Sequence, residues 1–136
     1  MARREHSRAE LVQKLRQRGF EREAVADVVE RLASQGWVSD ERFARELVRF
    51  RAASGYGPLR ILAELRRRGV PEEAAEAVLE AQAEDWAGRA EQARRKRFGT
   101  PAASDFRELA RQVRFLERRG FAADHIRRVT RAGDDT

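Results

Sequence analysis

The chain has 136 residues, of which 41% are hydrophobic and 38% charged, with a formal net charge of +6 and no cysteine. The lack of cysteine excludes a disulfide framework and a thiolate metal site, and no run approaches the ~18 apolar residues of a membrane span. The first residues contain no apolar stretch typical of a signal peptide, so we expect a soluble cytoplasmic protein. Abundant Ala, Leu, Arg and Glu favour helix, and strand alternation is lacking, so the predicted class is all-α.

The positive charge is concentrated towards the C-terminus. The net charge is +2 over residues 1–38, zero over 39–82 and +4 over 83–136. Nearly all of the basic side chains are arginines. This balance suggests a polyanionic partner, although many of these charges can pair with carboxylates on the same helix face.

Three Arg-Gly dipeptides divide the chain at a nearly constant period. Gly19, Gly69 and Gly120 are 50 and 51 residues apart, and each closes a basic amphipathic segment. A period of this size is typical of repeat architectures.

In the first repeat, Ser7-Arg8-Ala9-Glu10 has the pattern of a capping box and opens a helix. This helix ends at Gly19, which suits a left-handed C-terminal position, and Phe20 is expected to fold back on the last turn. A second helix places Val25 and Val28 on its buried face.

In the second repeat, Ser39 is the expected N-cap of a helix that buries Phe43 and Phe50. The turn Gly55-Tyr56-Gly57-Pro58 ends that helix, and its proline suits the first position of the next one. The next helix is basic and ends at Gly69. A short third helix follows.

In the third repeat, a helix from about Asp85 carries Trp86 on its inner face and ends in Arg94-Arg95-Lys96-Arg97. The following helix buries Phe106 and ends at Gly120, and a last short helix completes the repeat. The predicted count is eight helices.

The three repeats agree at their inward positions. The aligned sets are Val12, Leu62 and Val113; Leu15, Leu65 and Leu116; Val25, Ala75 and Ile126; and Val28, Val78 and Val129. We therefore predict an elongated array of three tandem three-helix repeats in one continuous unit, at residues 1–38, 39–83 and 84–136. The first repeat starts at its second helix and lacks most of its first.

Catalysis finds little support in the residues. His6 and His125 lie on different repeats with no partner at triad or metal spacing. The carboxylates alternate with arginines at helix-pairing spacings, which favours surface ion pairs over acid–base chemistry. The turn at 55–58 lacks the continuation of a phosphate-binding loop and follows a helix, so it is interpreted as structural. We expect no enzyme activity, no cofactor and no metal.

The arginines are the functional candidates. The runs 66–68 and 94–97 could bind phosphates or an acidic surface, or could simply be solvated charges at helix ends. No helix has the mixture of polar side chains expected of base readout, so sequence-specific DNA binding is disfavoured. The aromatic residues at core spacing are expected in the core and not in base stacking: Phe43, Phe50, Trp86 and Phe106.

One long motif resembles a known family. Residues 39–45 read S-D-E-R-F-A-R, and residues 55–70 read G-Y-G-P-x-R-I-x-x-E-L-x-x-x-G-V. Both are similar to the central signature of the RecX family, the regulators of the RecA recombinase. Flanking elements agree: H-S-R-A-E-L-x-x-K-L-x-x-R-G-F, G-W-V-S-D, D-W-x-x-x-A and F-L-x-x-R-G-F. Relatives usually carry a further helical segment before the first of these, which is here reduced to residues 1–5.

The resemblance implies tandem three-helix repeats and a non-enzymatic protein. Such a protein binds the RecA filament on single-stranded DNA and suppresses its ATP hydrolysis, strand exchange and growth. The alternative is a helical protein that coats single-stranded DNA without sequence preference and without a recombinase. We expect a monomer with no membrane partner, whose surface contacts to RecA or DNA are Arg45, Arg49, Arg60, Arg66, Arg67, Arg94, Arg95 and Arg97. The expected turn and cap residues are Gly19, Gly55, Gly57, Pro58, Gly69 and Gly120.

Overall fold

The structure, a computed structural model, describes residues 4–82 and 85–130. Eight α-helices and no strands are found there, which confirms the all-α class and the predicted helix count. The helices are α1 (Arg8–Gln17), α2 (Arg22–Ser34), α3 (Asp40–Ala53), α4 (Pro58–Arg67), α5 (Glu72–Ala81), α6 (Trp86–Phe98), α7 (Phe106–Arg119) and α8 (Ala123–Thr130). They fall into groups of two, three and three. The repeat boundaries at 38/39 and 83/84 stay a prediction.

Local capping determines where the helices begin. The Ser7 hydroxyl accepts a hydrogen bond from the Glu10 amide, and the Glu10 carboxylate accepts one from the Ser7 amide, which completes the capping box of α1. The amide of Arg42 donates to Ser39 Oγ at 3.1 Å, so Ser39 caps α3. Pro58 is the first residue of α4, where its missing amide is not needed.

The basic helix of each repeat ends in the same way. Its closing glycine has a φ between 88° and 95°, a backbone conformation that residues with a Cβ rarely adopt. The next amide donates back to the carbonyl five residues earlier, as in a Schellman motif. The pairs are Phe20 with Leu15, Val70 with Leu65 and Phe121 with Leu116.

The chain divides into two compact units. Unit 1 consists of Met1–Leu47 and Leu62–Gln82, and unit 2 of Val48–Ile61 and Ala83–Thr136. Helices α3 and α4 are therefore each shared between the two. The buried apolar side chains of unit 1 include Val25, Val29, Val38, Phe43, Ala44, Leu65, Val70, Ala75 and Val78. Those of unit 2 include Val48, Ala52, Ile61, Ala90, Ala93, Leu116, Phe121, Ile126 and Val129.

An equivalent joint between basic helices occurs once in each unit. In unit 1, Ser7 Oγ at the start of α1 donates to the carbonyl oxygen of Arg68 at 2.5 Å. In unit 2, the amide of Gly57 before α4 donates to the carbonyl of Arg119 at 2.7 Å. Ser7 and Gly57 are aligned, as are Arg68 and Arg119. The start of one basic helix thus satisfies the free carbonyls at the end of the next.

Two aromatic residues predicted in the core are exposed. Phe106 is 88% exposed because α7 begins 14 residues before its closing glycine, whereas α1 and α4 begin 11 residues before theirs. The extra turn places Phe106 beyond the packed part of α7. Phe50 follows the buried Val48 by two residues, about 200° around α3, and is therefore on the solvent side. The core predictions for Phe106 and Phe50 are wrong.

Candidate functional site

Seven of the eight predicted contact arginines are exposed. Unit 1 carries Arg45, Arg66 and Arg67, and unit 2 carries Arg49, Arg60, Arg95 and Arg97. Three of the seven are neutralised locally by carboxylates: Arg45 by Glu41, Arg66 by Glu72 and Arg95 by Glu91. The other four have no carboxylate partner among residues 4–82 and 85–130. Arg49, Arg60, Arg67 and Arg97 are thus the unneutralised charges of the predicted set.

Arg94 is the exception, and the expectation that it lies on the surface is wrong. The whole residue is only 4% exposed. Arg94 Nε donates to Glu91 Oε1 at 2.6 Å, and Arg94 Nη1 donates to the carbonyl of Pro101 at 3.3 Å. The guanidinium therefore ties the end of α6 to the segment that follows it.

The Glu91–Arg94 pair has perturbed proton affinities. Hydrogen bonding from Arg94 lowers the pKa of the Glu91 carboxyl, with further lowering by the charges of Arg94 and Arg95, against the opposing effect of burial. The same hydrogen bond raises the pKa of Arg94. Both groups are charged at neutral pH, so the pair is an ionic structural clamp and not a surface contact.

Two arginines of unit 2 converge on one tyrosine. The guanidinium carbon of Arg60 lies 4.5 Å from the centre of the Tyr56 ring, and that of Arg119 lies 4.9 Å from it. Both distances are within the range of cation–π attraction. Arg60 Nη1 also donates to the carbonyl of Arg118 at 3.1 Å, which fixes the Arg60 side chain further.

This arrangement continues along α7 towards the end of α6. Arg119 also lies 5.2 Å from the ring of Phe115, which packs edge-on against Phe98 at 5.5 Å. Arg97 and Arg111 lie over the Phe98 ring at 5.4 and 5.7 Å. We call the set the arginine–aromatic ladder, defined as Tyr56, Arg60, Arg97, Phe98, Arg111, Phe115 and Arg119.

The charges of the ladder are mostly uncompensated. Arg111 pairs with Glu108 at 2.9 Å. Arg60, Arg97 and Arg119 have no carboxylate partner in the part of the chain that the structure describes. A guanidinium held flat on a ring keeps its N–H groups at the edge, where they can donate to two oxygens of a phosphate or carboxylate. Because the rings are already covered by guanidinium groups, the ladder is better suited to phosphates than to stacked bases.

Only part of the ladder was predicted from the sequence. Arg60 and Arg97 were predicted contacts, whereas Arg119 was interpreted solely as part of a helix end. A usable signal was present: no acidic residue stands three or four positions from Arg97 or Arg119, so neither can pair along its own helix. The convergence on Tyr56 had no such signal, because Tyr56 and Arg119 are far apart in the chain.

Residues 4–82 and 85–130 contain no group of three or more His, Asp or Glu side chains placed to hold a metal ion. Within the same ranges, none of the helices combines the length and the apolar character needed to cross a bilayer.

Comparisons with known proteins match almost the whole chain. Models of the RecX family match residues 1–32 as the first three-helix domain, 39–79 as the second and 83–130 as the third. The regulatory protein RecX of Halorhodospira halophila is 46% identical over 99% of this chain and 84% of its own length. That of Stenotrophomonas maltophilia is 44% identical over 99% and 83%. The crystal structure of RecX from Lactobacillus salivarius shares the fold, with a TM-score of 0.82, 19% identity and coverage of 96% of this chain and 86% of that one.

Proposed function

The chain belongs to the RecX family of regulatory proteins, and on that premise we propose that it binds RecA filaments on single-stranded DNA and inhibits their ATP hydrolysis, recombinase activity and growth. The observation that carries the proposal is similarity at 43–46% identity, over nearly the full chain, to relatives named regulatory proteins RecX. The protein acts as a monomer in the cytoplasm, in DNA repair and the SOS response. Its role is regulatory, and no catalytic step is part of it.

The surface charges are compatible with such a target. A filament that contains DNA carries phosphates, and free arginines accelerate association with it. In the described residues, exposed arginines without acidic partners occur in both units, at Arg67 in unit 1 and at Arg49, Arg60 and Arg97 in unit 2. Several weak contacts made by one chain add up to an avidity that none has alone.

The test is the DNA-dependent ATPase of RecA. We expect the purified chain to lower the steady-state rate severalfold at well below one chain per RecA, because a bound chain hinders filament growth beyond the protomers it contacts. Inhibition should weaken with added salt, since part of the attraction is electrostatic. An unchanged ATPase rate at an equimolar ratio would rule the proposal out.

The ladder favours a second candidate function, direct binding of single-stranded DNA. Replacing Arg60, Arg97 and Arg119 together by Gln should weaken binding to bare single-stranded DNA. It should also flatten the slope of log K against log salt by about 2, because each lost phosphate contact contributes ~0.7. Fluorescence anisotropy with a labelled oligonucleotide measures both quantities.

A matched control removes the same number of positive charges elsewhere. In Arg45→Gln, Arg66→Gln and Arg95→Gln together, each lost arginine had a carboxylate partner, so a smaller change in slope is expected. Equal slopes for the two triple variants would mean that the ladder has no special role. Weak binding to bare DNA beside strong binding to the filament would favour RecA as the target.

A further inference from the structure

The arginine before the closing glycine of a basic helix has two carboxylate partners in unit 1. Arg68 Nη2 lies 3.0 Å from Glu64 Oε2, and Arg68 Nη1 lies 3.5 Å from Glu10 Oε2. Glu64 stands four residues before Arg68, and Glu10 is the third residue of α1, the preceding basic helix. The positive charge of Arg68 is therefore neutralised within the chain.

The equivalent arginine of unit 2 has neither of these carboxylates. Arg119 is aligned with Arg68, but the residue four positions before it is Phe115. The third residue of α4, the preceding basic helix, is Arg60. Arg119 lies over the Phe115 ring at 5.2 Å, and it shares the ring of Tyr56 with the second arginine. Two charges of the same sign thus stand where unit 1 has ion pairs.

No carboxylate among residues 4–82 and 85–130 compensates the Arg60–Arg119 pair. Arg60 is exposed and Arg119 half-buried, and Arg60 is held in place by its hydrogen bond to the carbonyl of Arg118. An anion that binds beside both guanidinium groups is attracted by each and also screens their mutual repulsion. Because both side chains already rest on the Tyr56 ring, binding costs little further side-chain entropy.

We propose that the Arg60–Arg119 pair binds a carboxylate on an acidic segment of a partner protein. Unit 1 indicates this chemistry, because the charged groups that pair with the aligned Arg68 are glutamates. Leu59, next to Arg60, is 56% exposed. An exposed aliphatic side chain beside the pair suits contact with a protein better than contact with a sugar–phosphate backbone, since interfaces with DNA are the more polar of the two.

The pair is distinct from the DNA contact considered for the whole ladder. It forms the end of the ladder at Tyr56, whereas Arg97 and Arg111 lie over Phe98. A nucleic-acid backbone gains affinity from many cations in succession, but one carboxylate is matched by two guanidinium groups. The test below uses neither RecA nor its ATPase, so its outcome is separate from that of the proposed regulatory role.

The probe is fluorescein-labelled hexaglutamate, titrated into the full chain at low salt and followed by fluorescence anisotropy. We expect saturable binding with a Kd of roughly 0.1–1 mM. Arg60→Glu should weaken binding about tenfold or more, because the new carboxylate can pair with Arg119 and occupy the site. Arg67→Glu is the matched control, since Arg67 is also an exposed residue of α4 without a carboxylate partner in the described residues. It makes the same change in charge and should alter the Kd less than about twofold.

A labelled hexathymidine of similar charge distinguishes a carboxylate from a phosphate. Arg60→Glu should reduce its affinity at least about threefold less than that of hexaglutamate. Arg119→Gln, which removes the other half of the pair, should also weaken hexaglutamate. Urea unfolding should show Arg60→Glu at least as stable as the wild-type chain, since a repulsion is exchanged for an attraction.

Three results overturn the proposal. The first is no saturable binding of hexaglutamate up to about 10 mM. The second is an equal affinity for hexaglutamate in Arg60→Glu and Arg67→Glu, or in Arg119→Gln and the wild-type chain. The third is a loss of hexathymidine affinity in Arg60→Glu as large as the loss for hexaglutamate, which would identify a DNA phosphate as the occupant.

Discussion

Gly120→Ala is expected to destabilise the protein by about 3 kcal/mol, whereas Gly19→Ala should cost only about 1 kcal/mol. Both glycines close a basic helix with nearly the same backbone conformation, φ +95° and +94°. The strain of a Cβ in the left-handed region is thus common to both variants. At Gly120 the new methyl group would in addition overlap the Cβ of Arg60 and lie 2.6 Å from the Arg60 amide nitrogen. At Gly19 it would meet nothing within 4 Å.

The overlap would open the joint of unit 2, in which the amides of Gly57 and Leu59 donate to the carbonyls of Arg119 and Gly120 at 2.7 and 2.9 Å. Urea unfolding followed by circular dichroism measures the two free energies of unfolding. Gly57→Ala should behave like Gly120→Ala, because its Cβ would lie 2.5 Å from the backbone of Gly120 and Phe121. Similar losses for Gly19→Ala and Gly120→Ala would mean that the joint contributes nothing beyond the common strain.

Glu91→Gln is expected to lower the free energy of unfolding by about 3 kcal/mol at neutral pH, since it leaves the buried Arg94 guanidinium without a carboxylate. Glu91 accepts from Arg94 at 2.6 and 3.1 Å, and no other carboxylate in the described residues pairs with Arg94. The surface variant Glu41→Gln is the control. It breaks the exposed pair with Arg45 and should change stability by less than about 0.5 kcal/mol.

The stability that the Glu91 carboxylate provides also depends on pH in a fixed direction. Its pKa in the folded protein lies below the ordinary value of 4.5 because of the hydrogen bond from Arg94. A lowered pKa means that the stabilisation is complete above that ordinary value and is lost as pH falls through the folded pKa. Urea unfolding as a function of pH should therefore show the wild-type chain approaching Glu91→Gln in acid. A difference that stays constant down to acid pH would contradict the ionic account of the pair.

Helix boundaries were predictable because they depend on neighbouring residues. The Ser7–Glu10 capping box, the Ser39 cap and Pro58 at the start of α4 each act within four positions of the chain. The positive φ of Gly19 and Gly120 follows from the same local chemistry. The eight helices could be derived on this basis, and the repeat period from the spacing of Gly19, Gly69 and Gly120.

Burial was less predictable, since it depends on which element covers a face. Phe106 has the spacing of a core residue, but α7 extends beyond the part that is packed. Val28 and Val129 are aligned, but Val129 is 7% exposed beneath α6, whereas Val28 is 43% exposed and residues 4–38 contain no helix in the place of α6, so the prediction that Val28 is buried is wrong. Periodicity indicates a face and says nothing about whether a partner is present.

In the candidate site, too, residues that look alike in the sequence differ in burial. Arg94 and Arg97 stand in one basic run, yet Arg94 is buried against Glu91 and Pro101 while Arg97 is exposed over Phe98. The helices and their caps follow from the residue order because they depend on contacts within about one helical turn, and the repeat and the excess of arginine are read directly from it. Which arginines are neutralised, which are held on rings and which apolar side chains are covered follow only from how the helices pack. Those outcomes depend on residues such as Tyr56 and Arg119, which are distant in the chain and adjacent only once the helices pack.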